Sequence, residues 1–244
     1  MISTRPADNS ASRKNYPKVT IPKNRKNTFE TNQMKYASPE KFQSLCARVG
    51  VSPITIETTS QKLFEKYSEV HRSYHNLNHI EYMLSFFSKS SDKQEPLELA
   101  IWFHDVVYEP KESENERRSA NLFREQLGPE LPTTITSQVI DLILATDPSQ
   151  PRTGKPQEDL LVDIDLSILG SSPKSYETYR AAIRKEYHFV PEDDFRQGRS
   201  KILQSFLSGP IFVTERFKQF EEQARINISA ELDLLTSRRA KESA

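Results

Sequence analysis

Leu160-Leu161-Val162-Asp163-Ile164-Asp165-Leu166-Ser167-Ile168-Leu169 is the one stretch of this chain whose composition would also suit a β-strand. Its density of aliphatics matches a strand buried on both faces. The acids at 163 and 165 argue against that assignment, because a carboxylate inside a sheet has few ways to satisfy its oxygens. A buried helix accommodates them better, and every neighbouring segment reads as helical. With this stretch helical, nothing in the chain requires a sheet, and the fold class is all-α.

Working outward on the N-terminal side, Ser38-Pro39 is a cap and first-turn pair, followed by Phe42, Leu45, Cys46 and Val49 at helical spacing up to Gly50. Ile56, Leu63, Phe64 and Tyr67 mark a second helix, and Leu77, Ile80, Met83, Leu84 and Phe87 a third. The segment from about Pro96 to Val107 is apolar nearly all round and is expected at the centre of the core. Helices follow over about 115–127 and from Thr136 to near Asp147, and the stretch from Pro148 to Pro156 reads as a surface loop. On the C-terminal side, Ser172-Pro173 caps a helix carrying Tyr176, Tyr179, Ile183 and Tyr187. Pro191 opens another with Phe195, Ile202, Leu203 and Phe206 buried, and a last helix spans about Thr214 to Thr236. There is no Asn-Gly or Asp-Gly hairpin signal and no internal repeat. The expectation is a bundle of about eight or nine helices over residues 38–236, with a frayed end at 237–244.

Residues 1–37 differ in character. Arg5, Arg13, Lys14, Lys18, Lys23, Arg25, Lys26 and Lys35 face only Asp8 and Glu30, and prolines stand at 6, 17 and 22. Such a segment buries too little apolar surface to offset its ordering entropy, so a disordered basic tail is expected. Mitochondrial or nuclear targeting and a weak nucleic-acid contact are its alternative readings. Over all 244 residues, Lys+Arg and Asp+Glu both total 34, so the net charge favours neither a nucleic acid nor an acidic membrane as partner. The single cysteine, Cys46, rules out an internal disulfide and fits a cytoplasmic location. No apolar run approaches the roughly 20 residues that span a bilayer.

The chemistry concentrates in a few positions. His104-Asp105 sits inside Ala100-Ile101-Trp102-Phe103-His104-Asp105-Val106-Val107-Tyr108, where an unpaired charge would cost several kcal/mol. Three of the five histidines fall at 71, 75 and 79. A spacing of four lets His75 and His79 address a common point if that segment is helical. Asp163 and Asp165 place further acids in a second apolar run. Imidazoles with carboxylates are the donor mixture of divalent transition metals, and a shared cation would account for acids on two buried helices at once. The plainer alternative is a core histidine hydrogen-bonded to a neighbouring acid.

In this arrangement the chain resembles the HD superfamily of metal-dependent phosphohydrolases, and more closely its branch of predicted metal-dependent HD phosphohydrolases. The resemblance rests on Arg72 with Tyr74-His75-Asn76-Leu77 and His79-Ile80, on Phe103-His104-Asp105 with Val107-Tyr108, and on Asn115-Glu116 with Ser119-Ala120. It continues through Asp163, Asp165-Leu166-Ser167-Ile168-Leu169-Gly170, Tyr179, Arg184, Glu186-Tyr187, Gly198-Arg199 and Ala224-Arg225 with Asn227, covering about residues 40–235. It implies an all-α HD-like fold whose cation, one of Mn, Fe, Co, Ni, Zn or Mg, is held by His79, His104, Asp105 and Asp165, with Asp163 as an outer or alternative ligand. Tyr74-His75-Asn76 with His79 also looks like the signature of cyclic-nucleotide phosphodiesterases, which implies that His75 is a general acid. Glu116 would orient water, and Arg72 and Arg184 are candidates to bind phosphate, because a guanidinium fork matches its oxygens. The expected activity is hydrolysis of a small phosphate ester by metal-activated water. One departure stands out: the histidine that this branch carries shortly after the position of Thr146 is missing from Asp147-Pro148-Ser149-Gln150. That absence keeps open a non-catalytic HD-fold binding or scaffold protein with a structural metal. The oligomeric state is left open, with a dimer among the options.

Overall fold

The computed structural model describes residues 34–88 and 94–237. The described residues belong to the second of two compact units, Met34–Ala244, and are helical with no strand among them. Most of the expected basic tail and the end beyond 237 lie outside the described residues. Residues 34–37, assigned to the tail by composition, are packed: Lys35, Tyr36 and Ala37 donate their backbone N–H groups to the Glu81 carboxylate at 3.0, 2.8 and 2.5 Å.

Ten α-helices form among the described residues, where eight or nine were expected. They are α1 (Pro39–Arg48), α2 (Pro53–Tyr67), α3 (Leu77–Phe87), α4 (Glu95–Phe103), α5 (Asn115–Gln126), α6 (Thr133–Leu144), α7 (Pro156–Leu166), α8 (Pro173–Glu186), α9 (Glu192–Leu207) and α10 (Glu221–Ser237). The decisive stretch 160–169 is α7 followed by a 3-10 turn over Ser167–Gly170. Ser38 and Ser172 each accept a backbone N–H three residues on, as their cap positions require.

Helix α4 is the centre of the core. Pro96, Leu97, Leu99, Ala100, Ile101, Trp102 and Phe103 are all buried, and α1, α3, α5, α6 and α7 pack around it. Trp102 meets Phe42 edge-on at 5.4 Å, and the Tyr67 hydroxyl donates to the Trp102 carbonyl at 3.0 Å. The sequence reading carried this helix to Val107, but it stops at Phe103. The Arg72 guanidinium takes the carbonyls of Asp105 (2.6 Å) and Val106 (3.0 Å), and Ser119 Oγ bonds both the N–H and the carbonyl of Val107. Backbone groups engaged in that way cannot continue the helical ladder.

Two further boundaries and one burial assignment differ from expectation. His75 precedes α3, so it and His79 do not share a helix. Helix α6 begins at Thr133, directly after Pro132, and not at Thr136. Helix α10 begins at Glu221 and not at Thr214, because Val213 and Thr214 donate to the buried Asp163 carboxylate while Ile211 and Phe212 donate to Glu221. Ile202, expected in the core, is 49% exposed. The buried stripe of α9 is Arg196, Arg199 and Leu203, and Arg199 is held by Glu231, with Nε to Oε1 at 2.9 Å. A stripe of paired arginines is invisible to a search for apolar periodicity.

Gly170 marks the closest approach in the fold. A Cβ there would lie 2.6 Å from Phe220 Cβ and 2.7 Å from the Phe220 carbonyl oxygen. Gly170→Ala is therefore expected to destabilise by about 1–3 kcal/mol. Gly198→Ala, on the exposed face of α9 with nothing within 4 Å, should instead stabilise by up to about 1 kcal/mol. Urea midpoints of the two variants, shifting in opposite directions, are the check.

Candidate metal centre

Three helices deliver the metal-binding candidates to one point. Asn76 caps α3 by accepting the Asn78 N–H at 2.9 Å, which places His79 in the first turn. His104 follows the last residue of α4, with Asp105 next to it in the turn, and Asp165 projects from α7. The Nε2 atoms of His79 and His104 lie 3.2 Å apart. Asp105 Oδ2 is 3.1 Å from His104 Nε2 and 3.6 Å from His79 Nε2. Asp165 Oδ1 is 3.1 Å from His79 Nε2 and 3.8 Å from His104 Nε2. Both imidazoles are buried, and His79, His104 and Asp105 form a group whose donor atoms all lie within 4.8 Å of one another.

The donor set fits a divalent cation. Ligands bound at 2.0–2.2 Å stand about 3.0–3.6 Å from their neighbours in tetrahedral or octahedral coordination, and of the separations given only His104 to Asp165, at 3.8 Å, falls outside that spacing. The tautomers agree as well. His104 Nδ1 lies 3.0 Å from the Ile101 carbonyl, which can only accept, so Nδ1 carries the hydrogen and Nε2 presents its lone pair to the centre. The buried Nδ1 of His79 has no hydrogen-bond partner. Two lone pairs 3.2 Å apart repel unless a proton or a cation lies between them. Burial alone would lower the His104 imidazole, but the charges of Asp105 and Asp165 and the hydrogen bonds to Asp105 and the Ile101 carbonyl together outweigh it, and its pKa is pushed up to about 9. Asp105 is held far below the usual carboxylate range: burial would raise it, and the hydrogen bond to His104 with the charges of His104, His75 and His79 together more than offset that.

Asp163, two residues from Asp165, is engaged elsewhere. It is fully buried and binds Arg152 Nη2 at 2.7 Å, the backbone of Val213 and Thr214, and the Thr214 hydroxyl at 2.6 Å. These partners saturate its oxygens, so it fastens the segment before α10 and the 148–156 loop onto α7.

The two arginines also have structural tasks. Arg72 has a fully buried side chain, with Nε on Glu69 at 3.0 Å and its terminal nitrogens on the carbonyls of His75, Asp105 and Val106. Arg184 joins Glu192 to the carbonyls of Tyr187 and Val190 across the turn from α8 to α9, with its guanidinium over the Phe195 ring. Both guanidinium forks thus have carboxylate and carbonyl partners within the protein. Each cation satisfies carbonyls that the ends of helices leave unpaired.

His75 borders the centre, its ring 5.9 Å from that of His79. Its Nδ1 lies 2.7 Å from Glu186 Oε2, and its ring stacks on Tyr108 at 4.1 Å. Burial would lower its pKa, but the hydrogen bond to Glu186 and the charges of Asp105, Glu186 and Asp165 together raise it. Glu116 is raised by burial and by the charges of Asp105 and Asp147, which puts it within electrostatic reach of the metal group. The segment after Thr146 is a tight turn in which Asp147 Oδ1 accepts the Ser149 N–H at 2.8 Å. Glu186 had entered the sequence reading only as part of a resemblance. Its signal was an acid continuing the buried stripe of α8 after Tyr176 and Ile183.

Comparison with protein-family models, with curated proteins and with solved structures finds no match to this chain. Function has therefore to be argued from the site itself.

The metal-free protein should reveal the centre through its pH dependence. The folded pKa of His104, about 9, lies above the unfolded value of about 6.5. Its contribution to stability is thus fully present below about pH 6.5 and is lost as pH rises through about 9. Chelated protein is expected to lose melting temperature over that window. Protein saturated with zinc at about 100 times its Kd should gain about 2.7 kcal/mol and show no such loss. Melting curves with and without chelator between pH 6 and 9 test both statements.

Proposed function

We propose that this chain is a metal-dependent phosphohydrolase of the HD type that cleaves a small phosphate ester, nucleotide-like or another phosphorylated metabolite. The observation that carries the reading is the facing pair of buried imidazoles, His79 and His104, with Asp105 and Asp165 on the same two nitrogens and His75 alongside. His79, His104, Asp105 and Asp165 would hold the cation. When bound, a divalent cation supplies Lewis acidity and a more acidic water.

The chain's own residues supply the rest. His75, with Nδ1 held by Glu186, donates the Nε2 proton to the leaving oxygen. Glu116, with its raised pKa, serves as an acceptor that orients the attacking water. With Arg72 and Arg184 engaged on backbone carbonyls, neutralisation of the phosphate is left to the cation and the His75 imidazolium. That same fact favours a second reading, an HD-fold binding protein that keeps its metal for stability without turnover.

The deciding experiment loads the protein separately with Mn, Fe, Co, Ni, Zn and Mg and assays a panel of phosphate esters. Turnover is expected with at least one metal. His75→Ala should lower kcat about 10²–10⁴-fold with metal content unchanged, and His104→Ala should lose both metal and turnover. Metal-saturated wild type that is stabilised yet turns over no ester would sink the enzymatic reading in favour of the binding one.

A further inference from the structure

Glu186 closes α8 and is 1% exposed, yet its carboxylate collects five donors. Oε1 accepts the backbone N–H groups of Ser73, Tyr74 and His75 at 2.7, 2.7 and 3.0 Å. Oε2 accepts His75 Nδ1 at 2.7 Å and the Tyr108 hydroxyl at 3.0 Å. One buried carboxylate, more than a hundred residues away in sequence, thus holds the backbone, the ring and the stacking partner of His75.

An ionised carboxylate is an acceptor only, so the ring nitrogen facing it has to carry the hydrogen. We propose that Glu186 is the positioning residue of the centre: it locks His75 in the Nδ1–H tautomer and leaves Nε2 as the nitrogen that exchanges a proton with the substrate. Three constraints act on one ring. Oε2 fixes the tautomer, the Tyr108 face at 4.1 Å and 29° fixes the plane, and the Oε1 contacts fix the backbone from which the ring projects. Tyr108 hydrogen-bonds the same Oε2, so the stacking face and the acceptor are themselves joined.

The catalytic part of this role rests on the phosphohydrolase reading. As the bond from phosphorus to the leaving oxygen breaks, the Nε2 proton passes to that oxygen. Water forms the new bond to phosphorus, and the proton it releases restores the ring. Throughout, Nδ1–H stays on Glu186, so the imidazole moves a single proton through a single nitrogen.

The test reads the ring directly. In zinc-loaded full-length protein, ¹⁵N shifts of His75 recorded at a pH where the ring is neutral should show Nδ1–H in the wild type. In E186Q the amide nitrogen that replaces Oε2 can only donate, so the ring should switch to Nε2–H. Tyr108→Phe, which removes a donor to Oε2 but leaves the acceptor, should retain Nδ1–H. Metal content should be equal in all three proteins, and E186Q should lose at least tenfold in kcat with KM changed less than twofold. Persistence of Nδ1–H in E186Q, or loss of its zinc, would overturn the proposal. A wild type without turnover would overturn the phosphohydrolase reading, and the tautomer, measured without substrate, still decides whether Glu186 sets the ring.

Discussion

Two buried imidazole nitrogens facing each other at 3.2 Å are the constraint on which the rest of this structure depends. Neither can turn away, because each is enclosed by apolar packing and His104 is fixed by the Ile101 carbonyl behind it. A positive charge between them relieves the repulsion, and Asp105 and Asp165 stand where such a charge would be balanced. Without a metal, that charge is the proton on His104, whose pKa the surrounding carboxylates raise. A cation held there would displace that proton, so its affinity would depend on pH.

Around this centre the chain uses buried charges to shape backbone and leaves few of them for a substrate. Arg72 gathers three carbonyls, Glu186 gathers three N–H groups, and Asp163 gathers two N–H groups, a hydroxyl and a guanidinium. Each satisfies polar groups that helix ends and tight turns leave unpaired inside the protein, where a missing partner costs about 1–3 kcal/mol. The loop before α3, the turn after α4 and the segment before α10 therefore hold fixed shapes without regular hydrogen bonding of their own. That rigidity lets residues from α3, α4 and α7 meet at one point.

Much of the fold was legible in the sequence, for identifiable reasons. Apolar residues at spacings of three and four, with Ser-Pro pairs at the starts, mark α1, α2 and α8 because the helical period and capping chemistry are local. The unbroken apolar run of α4 marks the core for the same reason. Reading failed where a distant partner decides. The end of α4 depends on Arg72, the start of α10 on Asp163, and the exposure of Ile202 on the pairing of Arg199 with Glu231. The site shows the same division. An acid and a histidine in apolar surroundings drew attention to His104-Asp105 and to the acids at 163 and 165, whereas an arginine's task cannot be read from its type.

The sequence by itself determined that the chain is helical, that a charge-bearing pair would be buried next to Trp102 and Phe103, and that acids on a second apolar segment needed a partner. These follow from periodicity and from the cost of burying charge, which act along the chain. Only the tertiary structure decided which of Asp163 and Asp165 reaches the histidines, that Arg72 and Arg184 serve the backbone, and that Glu186 holds His75. The reason is physical: a carboxylate or guanidinium takes its role from whichever unpaired group lies within about 3 Å. That neighbour is supplied by packing between helices far apart in sequence.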